Sequence, residues 1–301
     1  MSDPLSQVVG LLQPRAPYSK VAEGAGAWRV RRSEAGRPFY CAILDGVCRL
    51  LLPGQAPMTL ESGDFVLIPA AFDFAASSVE AMPPHQGDSI PIELRPGLVR
   101  LGRVEETPDV RVLLGYCTFE SPNAALLVSL LPQAIHVRGQ PRLTTLLQMV
   151  NEESRAGRPG REAVLARLVE VMLIEALRST SGSAASRGLL RGLADERLAA
   201  ALRRIHAHPA RPWTVPQLAR EAALSRSSFF ARFRRAVGVS PMEYLLLWRM
   251  ALAKDLLRRG EGGVAEVASR VGYGSASTFS VAFARHVGCP PSTYARDQTA
   301  A

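Results

Sequence analysis

Two stretches near the end of the chain carry clusters of hydroxyl and guanidinium side chains. The first reads SRSSFFARFRR over residues 225–235, and the second reads SASTFSVAFAR over residues 275–285. Serine and threonine side chains at the start of a helix can cap free backbone N–H groups or bind a phosphate. Arginine side chains bind phosphate oxygens through charge-assisted hydrogen bonds. Both stretches are therefore candidates for contact with a partner that carries phosphate groups.

The positive charge of the chain is concentrated in the same region. The formal net charge is +9, and residues 195–301 hold 16 Lys and Arg against 8 Asp and Glu. The first 194 residues hold 20 basic against 19 acidic residues, so they are almost neutral. Charge of one sign on a single domain of about a hundred residues is expected of a nucleic-acid-binding protein, although a solvated basic surface gives the same count.

The two stretches also belong to an internal repeat. Six residues recur 50 positions apart, in the pairs Phe229 and Phe279, Phe233 and Phe283, Val237 and Val287, Gly238 and Gly288, Pro241 and Pro291, and Tyr244 and Tyr294. Further upstream, Leu218-Ala219 matches Val267-Ala268 at an offset of 49. In each copy the spacing predicts a short helix, a tight turn and a longer helix that ends at glycine. This arrangement is a helix-turn-helix unit, and a helix over residues 241–259 joins the two copies.

These residues resemble the AraC/XylS family of transcriptional regulators. Residues 218–257 resemble the first helix-turn-helix unit of that family with its connecting helix, and residues 264–297 resemble the second. The matching positions of the second unit are Gly272, Tyr273, Phe279, Phe283, Gly288, Pro291 and Tyr294. The resemblance implies a regulator whose recognition helices enter two adjacent major grooves of double-stranded DNA. It also implies RNA polymerase as a partner, which the bound protein recruits or blocks.

The inward ridge of each longer helix decides which residues can face DNA. If Phe229, Phe233 and Val237 face the core, a rotation of about 100° per residue exposes the opposite side. The candidate contacts of the first unit are Ser225, Arg226, Ser227, Phe230, Ala231, Arg234 and Arg235. Those of the second unit are Ser275, Ala276, Ser277, Thr278, Ser280, Val281 and Arg285.

Two of these candidates are large apolar residues and leave the mode of recognition open. Phe230 can contact a thymine methyl group, or it can pack on a neighbouring helix. Many members of the family carry arginine where this chain has Val281. The second unit is therefore expected to rely on phosphate contacts, apolar contacts and DNA shape more than on paired hydrogen bonds to bases.

The first half of the chain has a different pattern. Short apolar runs separated by Gly, Pro, Asp and Ser span residues 28–119 and predict an antiparallel sandwich or barrel. Apolar residues then recur at helical spacing on both sides of the break GRPGR at residues 157–161. These two helices are expected to pack on the barrel or to form the interface of a homodimer. A Ser- and Gly-rich linker follows at residues 179–188.

The predicted fold class is therefore α+β with two domains, an N-terminal antiparallel β-barrel with flanking helices and an all-α C-terminal domain with two helix-turn-helix units. Residues 63–69 and 130–139 resemble the cupin-type sensory domain of one AraC subgroup. We predict a cupin-like sensory domain over residues 1–140, helices and a linker over residues 141–194, and a DNA-binding domain over residues 195–301.

The cupin-like region is poor in metal ligands. Tyr40 and Phe74 stand where many cupins carry histidine, and only His85 and His136 remain in this half of the chain. Two histidines are too few for the three-histidine sites of cupin enzymes, so we expect no metal and no cofactor. The pocket is expected to be empty, apolar or bound to an organic effector.

Three cysteines form the candidate redox site. Cys41, Cys48 and Cys117 lie on predicted strands, and some relatives of this subgroup respond to oxidants. Cys41 and Cys48 are seven residues apart, which puts them on opposite faces of a continuous strand unless the Asp45-Gly46 turn interrupts it. The alternative is that all three are buried, unreactive thiols.

The remaining motifs exclude other classes of protein. The chain has no GxSxG, HExxH or phosphate-binding loop, so it is not expected to be an enzyme. No run approaches the roughly 20 apolar residues of a membrane span, and no secretory signal begins the chain, which predicts a cytoplasmic protein without a membrane partner. We predict a sequence-specific regulator that senses a small molecule or a redox signal. The alternative is a constitutive DNA-binding protein whose barrel only dimerises.

Overall fold

A computed structural model describes residues 3–80, 82, 87–121, 123–129, 131–156, 158–179 and 188–299. The chain divides into two compact units. The strand-rich unit comprises Gln13–Glu120 and Pro132–Thr180, and the helical unit comprises Met1–Leu12, Ser121–Leu131 and Ser181–Ala301. The predicted α+β fold with two domains is confirmed. The predicted linker lies almost entirely outside the described residues.

Eight strands form one sheet. In chain order they are β1 (Pro14–Ala25), β2 (Arg29–Leu51), β3 (Met58–Glu61), β4 (Phe65–Ser77), β5 (Ile92–Arg95), β6 (Leu98–Gly102), β7 (Val110–Phe119) and β8 (Ile135–Val137).

The helices lie at the start of the chain, beside the strands and throughout the C-terminal part. They are α1 (Pro4–Leu12), α2 (Ala124–Ser129), α3 (Pro141–Ala156), α4 (Arg161–Ser179), α5 (Leu189–Ala194), α6 (Glu196–Ala207), α7 (Val215–Glu221), α8 (Arg226–Val237), α9 (Pro241–Arg258), α10 (Val264–Arg270), α11 (Ala276–Val287) and α12 (Pro291–Thr299).

The sheet has the strand order β5-β6-β1-β7-β2-β4-β8, and β3 pairs with β2. The strand pairs are antiparallel apart from β1 with β6, which are parallel. Residues 75–77 of β4 pair with both ends of β2, at residues 29–31 and 49–51. The long strand β2 therefore curls around, which gives the sheet its barrel-like form.

An irregularity in β2 reverses its side-chain alternation. The pairing of β2 with β7 shifts between Ile43 and Asp45, and Gly46 has a φ of 77°. A Cβ atom on Gly46 would lie 1.9 Å from the Asp109 carbonyl oxygen, so glycine alone fits there. Because of this bulge, Cys41 and Cys48 both belong to one apolar cluster on the inner face of the sheet. The interruption at Asp45-Gly46 therefore places both cysteines on one face, whereas their spacing in a continuous strand would place them on opposite faces.

The helices α3 and α4 cover the outer face of the sheet. They pack on each other and on β1, and Ser19 of β1 donates a hydrogen bond to the Asn151 side chain of α3 over 3.2 Å. Tyr40 and Cys117, which alternate with the residues of the inner face, are buried on this side. The prediction of two amphipathic helices around residues 157–161 is confirmed, and these helices pack on the barrel.

The helical unit contains the predicted repeat. From Asp195 onward the described residues form seven helices, α6–α12, in agreement with the predicted all-α C-terminal domain. Three helices of this unit have no counterpart in the sequence analysis, namely α1, α2 and α5. Asn123, just before α2, donates a hydrogen bond of 2.9 Å to the Ala251 carbonyl of α9. The sequence analysis assigned the segments of α1 and α2 to the sensory domain, so the functional boundaries given there stay a prediction.

The helix α1 is attached to α6 and α9 through a buried histidine. His206 of α6 is 3% exposed, and its Nδ1 lies 2.8 Å from the Gln7 side-chain oxygen of α1. Its Nε2 lies 2.7 Å from the Tyr244 hydroxyl, and its ring packs on Trp248 at 4.1 Å. Burial lowers the pKa of His206 to about 3, so the ring is neutral and each nitrogen has one polar partner.

Candidate DNA interface

The first helix-turn-helix unit consists of α7, a four-residue turn and α8. Thr214 begins α7 with a capping box in which its hydroxyl accepts from the Gln217 N–H. Ser225 begins α8 by accepting a hydrogen bond of 3.2 Å from the Ser228 N–H. Gly238 ends α8 in a left-handed conformation with a φ of 96°. The helix boundaries therefore follow from local capping chemistry.

The second unit repeats this geometry in α10, its turn and α11. Ser275 accepts a hydrogen bond of 3.2 Å from the Thr278 N–H, and Gly288 ends α11 with a φ of 89°. These contacts are the same as those of Ser225 and Gly238, which lie 50 positions earlier. The sequence repeat is thus a repeat of structure.

The aromatic cores of the two units also match. Phe229 and Phe233 are 5.6 Å apart between ring centroids, and Phe233 meets Tyr244 edge-on at 5.8 Å. In the second unit the equivalent distances are 5.4 Å and 5.5 Å, the latter again edge-on. All of these phenylalanines are fully buried. The inward ridge of each longer helix is confirmed, and its opposite face is therefore available to a partner.

The described side chains of α8 that were predicted to face outward are exposed. Ser225, Arg226, Ser227, Phe230, Ala231, Arg234 and Arg235 all lie on the surface. Phe230 is 40% exposed, so it is not part of the aromatic core that holds Phe229. All seven residues are therefore accessible to a partner on α8 or at its start.

The candidate residues of α11 are also accessible, although less uniformly. Ser275, Ser277, Thr278, Val281 and Arg285 are exposed, and Ala276 and Ser280 are partly buried. The Ser280 hydroxyl donates to the Ala276 carbonyl over 2.7 Å, so this hydroxyl already has a partner within the helix. Val281 is 72% exposed, an unusual position for a branched apolar side chain.

An open groove runs along α11. Its volume is about 880 Å³, and its lining residues come from α9 and α11: Leu246, Ser277, Thr278, Val281, Ala282, Arg285 and His286. Four of the predicted contact residues therefore line one concave surface. The groove combines hydroxyls, one guanidinium group and apolar carbon.

The arginines of α8 divide into two groups. Arg232 forms an ion pair with Asp195, whose carboxylate also caps the start of α6. This pair ties α8 to α6. Arg226, Arg234 and Arg235 make no ion pair within the part of the chain that the structure describes. Their charge is free for phosphate contacts, whereas that of Arg232 is largely compensated.

The three candidate redox cysteines are buried free thiols. Burial raises the pKa of Cys48 to about 12, and the nearby Asp64 carboxylate adds to this effect. Burial also raises the pKa values of Cys41 and Cys117 strongly. Cys41 and Cys48 share the inner face, whereas Cys117 lies on the other side of the sheet. A thiolate, the reactive form of cysteine, is therefore strongly disfavoured at all three positions.

No group of three or more His, Cys, Asp or Glu side chains that could hold a metal ion occurs among the described residues. His136 is engaged with Asp64 at 2.9 Å, and His85 lies outside the described residues. Tyr40 and Phe74 are buried side chains of the sheet. The described part of the chain contains no helix that is both long and apolar enough to cross a membrane.

Sequence reasoning missed two features of this interface. It did not find the contact of α1 with His206, because Gln7 and His206 are 199 residues apart. It also gave no contact to Arg249 of the connecting helix. Arg249 contacts the loop before α7 and the ring of Tyr273. Only its position on the connecting helix could have suggested such a role.

Comparison with known proteins matches both units of the chain. The family described as Cupin matches residues 3–182, and the family described as Helix-turn-helix domain matches residues 218–297. A putative AraC-like transcription regulator of Streptomyces lividans is 36% identical and covers 99% of both chains. The RCS-specific HTH-type transcriptional activator RclR of Escherichia coli is 26% identical, covering 97% of this chain and 96% of the relative. Among solved structures, the DNA-binding domain of AdpA in complex with a target DNA is 31% identical, covers 34% of this chain and 92% of that chain, and has a TM-score of 0.33.

The similarity to the Streptomyces lividans protein extends over the whole length of both chains, so it includes the cupin region as well as the repeat. A second putative AraC-like transcription regulator, from Streptomyces antibioticus, is 35% identical over 97% of this chain and 98% of its own. The protein is accordingly a transcription regulator and not an enzyme. It belongs to the AraC family of DNA-binding regulators, with a cupin domain ahead of the helix-turn-helix domain.

Proposed function

We propose that this regulator recognises a specific double-stranded DNA sequence with α8 and α11, each in one of two adjacent major grooves. The observation that carries the proposal is the repeated geometry, in which matching caps and aromatic contacts expose two equivalent helix faces on one chain. Successive major grooves on one side of DNA lie about 34 Å apart. A single chain then reads an asymmetric site.

Phosphate contacts supply most of the affinity in this proposal. Arg226, Arg234 and Arg235 of α8 and Arg285 of α11 are exposed guanidinium groups, and Ser227 and Ser277 are exposed hydroxyls at the helix starts. Such groups bind phosphate oxygens and fix the register of a helix on DNA. Affinity should therefore fall steeply with salt concentration.

Apolar contacts supply part of the sequence preference. Phe230 and Val281 are exposed on the two recognition helices, where water gives them no favourable contact. The methyl group of thymine is the apolar feature of the major groove, so these side chains favour thymine at the bases they meet. The small side chain of Ala231 lets α8 approach the base edges closely.

We infer that the strand-rich unit senses a small organic molecule of apolar character. The inner face of its sheet is lined with apolar side chains, including the rings of Phe39, Phe74 and Tyr116, which pack at 4.7 Å and 5.4 Å. Such a lining suits an apolar effector better than a charged one. A redox signal at Cys41, Cys48 and Cys117 is the second candidate, since the relative RclR is named as RCS-specific. The raised pKa values of these thiols oppose it.

The helix α4 supports a homodimer. Val164 and Val171 are 44% and 39% exposed, and with the partly buried Leu168 they form an apolar stripe on the side of α4 away from the sheet. A second copy of the same stripe would cover it in a two-fold interface. RNA polymerase remains the proposed partner of the DNA-bound regulator. Because we propose that the regulator binds genomic DNA, we also propose a cytoplasmic location.

A constitutive DNA-binding protein whose barrel only dimerises is the alternative function. The buried apolar side chains of the inner face are compatible with this alternative as well, because a core that such side chains fill leaves no room for a ligand. The two functions differ in whether anything bound to the strand-rich unit changes the affinity for DNA.

Selection of bound sequences from random duplex DNA tests the proposed recognition. We expect the purified full chain to recover a motif that spans two adjacent major grooves. Replacing each thymine of the motif by deoxyuridine should weaken wild-type binding at the base that Phe230 meets, and should leave the Phe230→Ala variant unaffected there. Recovery of no motif would contradict sequence-specific binding.

The uncharged apolar dye N-phenyl-1-naphthylamine serves as a probe of the sensing proposal. Saturable binding of the dye that changes the Kd for the selected DNA supports a sensory site. No saturable binding of the dye, or saturable binding that leaves the Kd for the selected DNA unchanged, supports the constitutive alternative. Hydrogen peroxide replaces the dye in a parallel titration, where a changed Kd would favour the redox signal.

A further inference from the structure

The connecting helix α9 carries one side chain that contacts both helix-turn-helix units. Arg249 donates hydrogen bonds from Nε to the Pro209 carbonyl over 2.8 Å and from Nη2 to the Arg211 carbonyl over 2.9 Å. Both carbonyls lie in the loop that leads into α7. The same guanidinium group lies over the ring of Tyr273, 6.0 Å from its centroid, in the turn of the second unit.

The position of Arg249 along α9 is also intermediate between the two units. Tyr244 and Trp248 precede it; Tyr244 contacts Phe233 of the first unit, and Trp248 contacts His206 of α6. Met250 and the residues after it belong to the apolar core of the second unit. Arg249 therefore lies where α9 passes from one core to the other.

The loop before α7 is itself held in place. Trp213 is buried and donates a hydrogen bond of 3.0 Å from its indole nitrogen to the His208 carbonyl. The Arg211 guanidinium lies over the Trp213 ring at 4.2 Å. The loop ends at Thr214, whose capping box begins α7, so a contact with the loop is also a contact with the start of the first unit.

The loop also meets the second unit directly. Gly272, in the turn before α11, has a φ of 85°, and a Cβ atom there would lie 2.5 Å from the Ala210 carbonyl oxygen. It would also lie 2.7 Å from Nη2 of Arg249. Glycine leaves just enough room for the backbone of the turn to pack against the loop and the guanidinium group. The two units are thus in contact at Arg249 and Gly272.

Arginine suits this position for a specific chemical reason. Its guanidinium group is a rigid, planar fork that can donate to two separate carbonyls while its face packs on an aromatic ring. Lysine has the same charge, but its ammonium group is a single point on a flexible chain. It cannot reproduce the two hydrogen-bond directions together with the contact to the ring. Glutamine retains donors but loses the charge and the reach.

We propose that Arg249 is a positioning residue that sets the separation and angle of the two helix-turn-helix units, and thereby the spacing between the two DNA segments that the chain accepts. The statement about DNA spacing rests on the proposed function, whereas the statement about the two units does not. Insertion of one base pair moves the second segment by about 3.4 Å along DNA and rotates it, so a rigid pair of helices discriminates against it.

The first experiment measures the separation of the units without DNA. Spin labels are attached at Arg235→Cys on α8 and His286→Cys on α11, both exposed positions, in a full chain that also carries Cys289→Ser. Pulsed electron paramagnetic resonance should give one narrow distance distribution for this background. Adding Arg249→Gln or Arg249→Lys should broaden or shift it. The matched control is Arg259→Gln, which removes one charge at the end of the same helix and should change nothing.

The second experiment measures the tolerance of DNA spacing at a fixed salt concentration. The selected DNA is compared with versions that carry one or two base pairs inserted or removed between the two grooves. We expect wild type to lose about tenfold in affinity for each change, and Arg249→Gln to lose less than about threefold. Circular dichroism and thermal unfolding verify that the variants are folded.

The two experiments separate the proposals. Unchanged distances in both Arg249 variants would overturn the positioning role, whatever the DNA results are. An equal loss of affinity on every spacing would also overturn it, because it would indicate a phosphate contact or a general loss of stability. If wild type binds no specific sequence, the proposed function fails, while the distance measurement still decides the role of Arg249.

Discussion

Ala223 and Gly272 occupy the same position in the two turns of the repeat, and both have left-handed backbones, with φ values of 50° and 85°. In each turn the next residue donates to a carbonyl five positions back, from Leu224 to Ala219 and from Tyr273 to Ala268, both over 2.9 Å. The two turns therefore require the same conformation. The first turn adopts it with alanine, for which it is strained.

Replacing Ala223 by glycine should stabilise the protein. A non-glycine residue in the left-handed region costs about 1–2 kcal/mol, and glycine gives back about 0.4–1 kcal/mol through the entropy of the unfolded chain. We expect a net gain of up to about 1 kcal/mol in the free energy of unfolding, measured by urea denaturation. A loss of stability would mean that the Cβ of Ala223 makes a contact whose stabilising free energy exceeds the cost of the strained backbone.

The opposite change at Gly272 should be strongly destabilising. Alanine there would combine left-handed strain with a Cβ atom 2.5 Å from the Ala210 carbonyl oxygen. We expect a loss of at least about 2 kcal/mol in the same urea titration. Gly274→Ala is the control, because a Cβ atom on Gly274 meets nothing within 4 Å. Equal effects of the two variants would contradict the close approach of the turn and the loop.

Arg234 and Arg232 should differ in their effect on DNA binding although both lie on α8. Arg234 is exposed without an ion pair to any described residue, whereas Arg232 is paired with Asp195. Arg234→Ala should weaken binding at all sequences and lower the slope of log K against log salt by about 1. Arg232→Ala should change the free energy of unfolding, and it should change this slope less than Arg234→Ala does. Equal slopes for wild type and Arg234→Ala would mean that Arg234 does not face the DNA backbone.

Val281→Ala provides a second comparison with Arg234→Ala. It trims an exposed apolar side chain and removes no charge, so its effect on affinity should be the smaller of the two. Fluorescence anisotropy with the selected DNA at one salt concentration measures both. Equal losses would contradict the proposed orientation of the helices.

Acidification should destabilise the helical unit through His206. Its pKa is about 3 in the folded protein, against about 6.5 in an unfolded chain. The unfolded state therefore binds the proton first as the pH falls below about 6.5, and this histidine removes up to about 1.4 kcal/mol per pH unit down to about 3. Above that window it has no effect on the pH dependence of stability.

Hydrogen exchange of peptides from α6 and α9 reports this loss in the full chain. His206→Gln removes this titratable group. The difference in the free energy of unfolding between pH 6.5 and pH 4.5 should therefore be smaller than in wild type by roughly 2–3 kcal/mol. The exposed His208 is the matched control, and His208→Gln should keep the wild-type pH dependence. An unchanged pH dependence in His206→Gln would show that protonation of this ring is not coupled to unfolding.

The cysteines of the strand-rich unit should resist alkylation in the native protein. With a pKa of about 12, Cys48 is a thiolate in only about one molecule in 10⁴ at pH 8. Cys41 and Cys117 are as deeply buried, whereas Cys289 is partly exposed. Iodoacetamide followed by peptide mass spectrometry should modify Cys289 first, and the other three only after urea is added. Rapid native modification of Cys41 or Cys48 would restore the redox signal as the leading candidate.

The sequence by itself determined the helix-turn-helix repeat. Phe229, Phe233 and their partners 50 positions later recur at helical spacing, and Ser225 and Gly238 act on backbone groups within a few residues of themselves. Such local signals do not depend on the path of the rest of the chain. The strands between residues 28 and 119 and the helices α3 and α4 were predictable for the same reason, whereas β1 and β8 lie outside the predicted range. The contacts with DNA and the domain boundaries stay predictions.

Only the tertiary structure decided which distant residues meet. Gln7 reaches His206 across 199 positions, and Arg249 reaches a loop 40 positions earlier. The bulge at Gly46 turned Cys41 and Cys48 to one face, although their spacing alone gives opposite faces. Burial then set the pKa values of His206 and the thiols. These features depend on how the elements fold back on one another, and no local periodicity encodes that path.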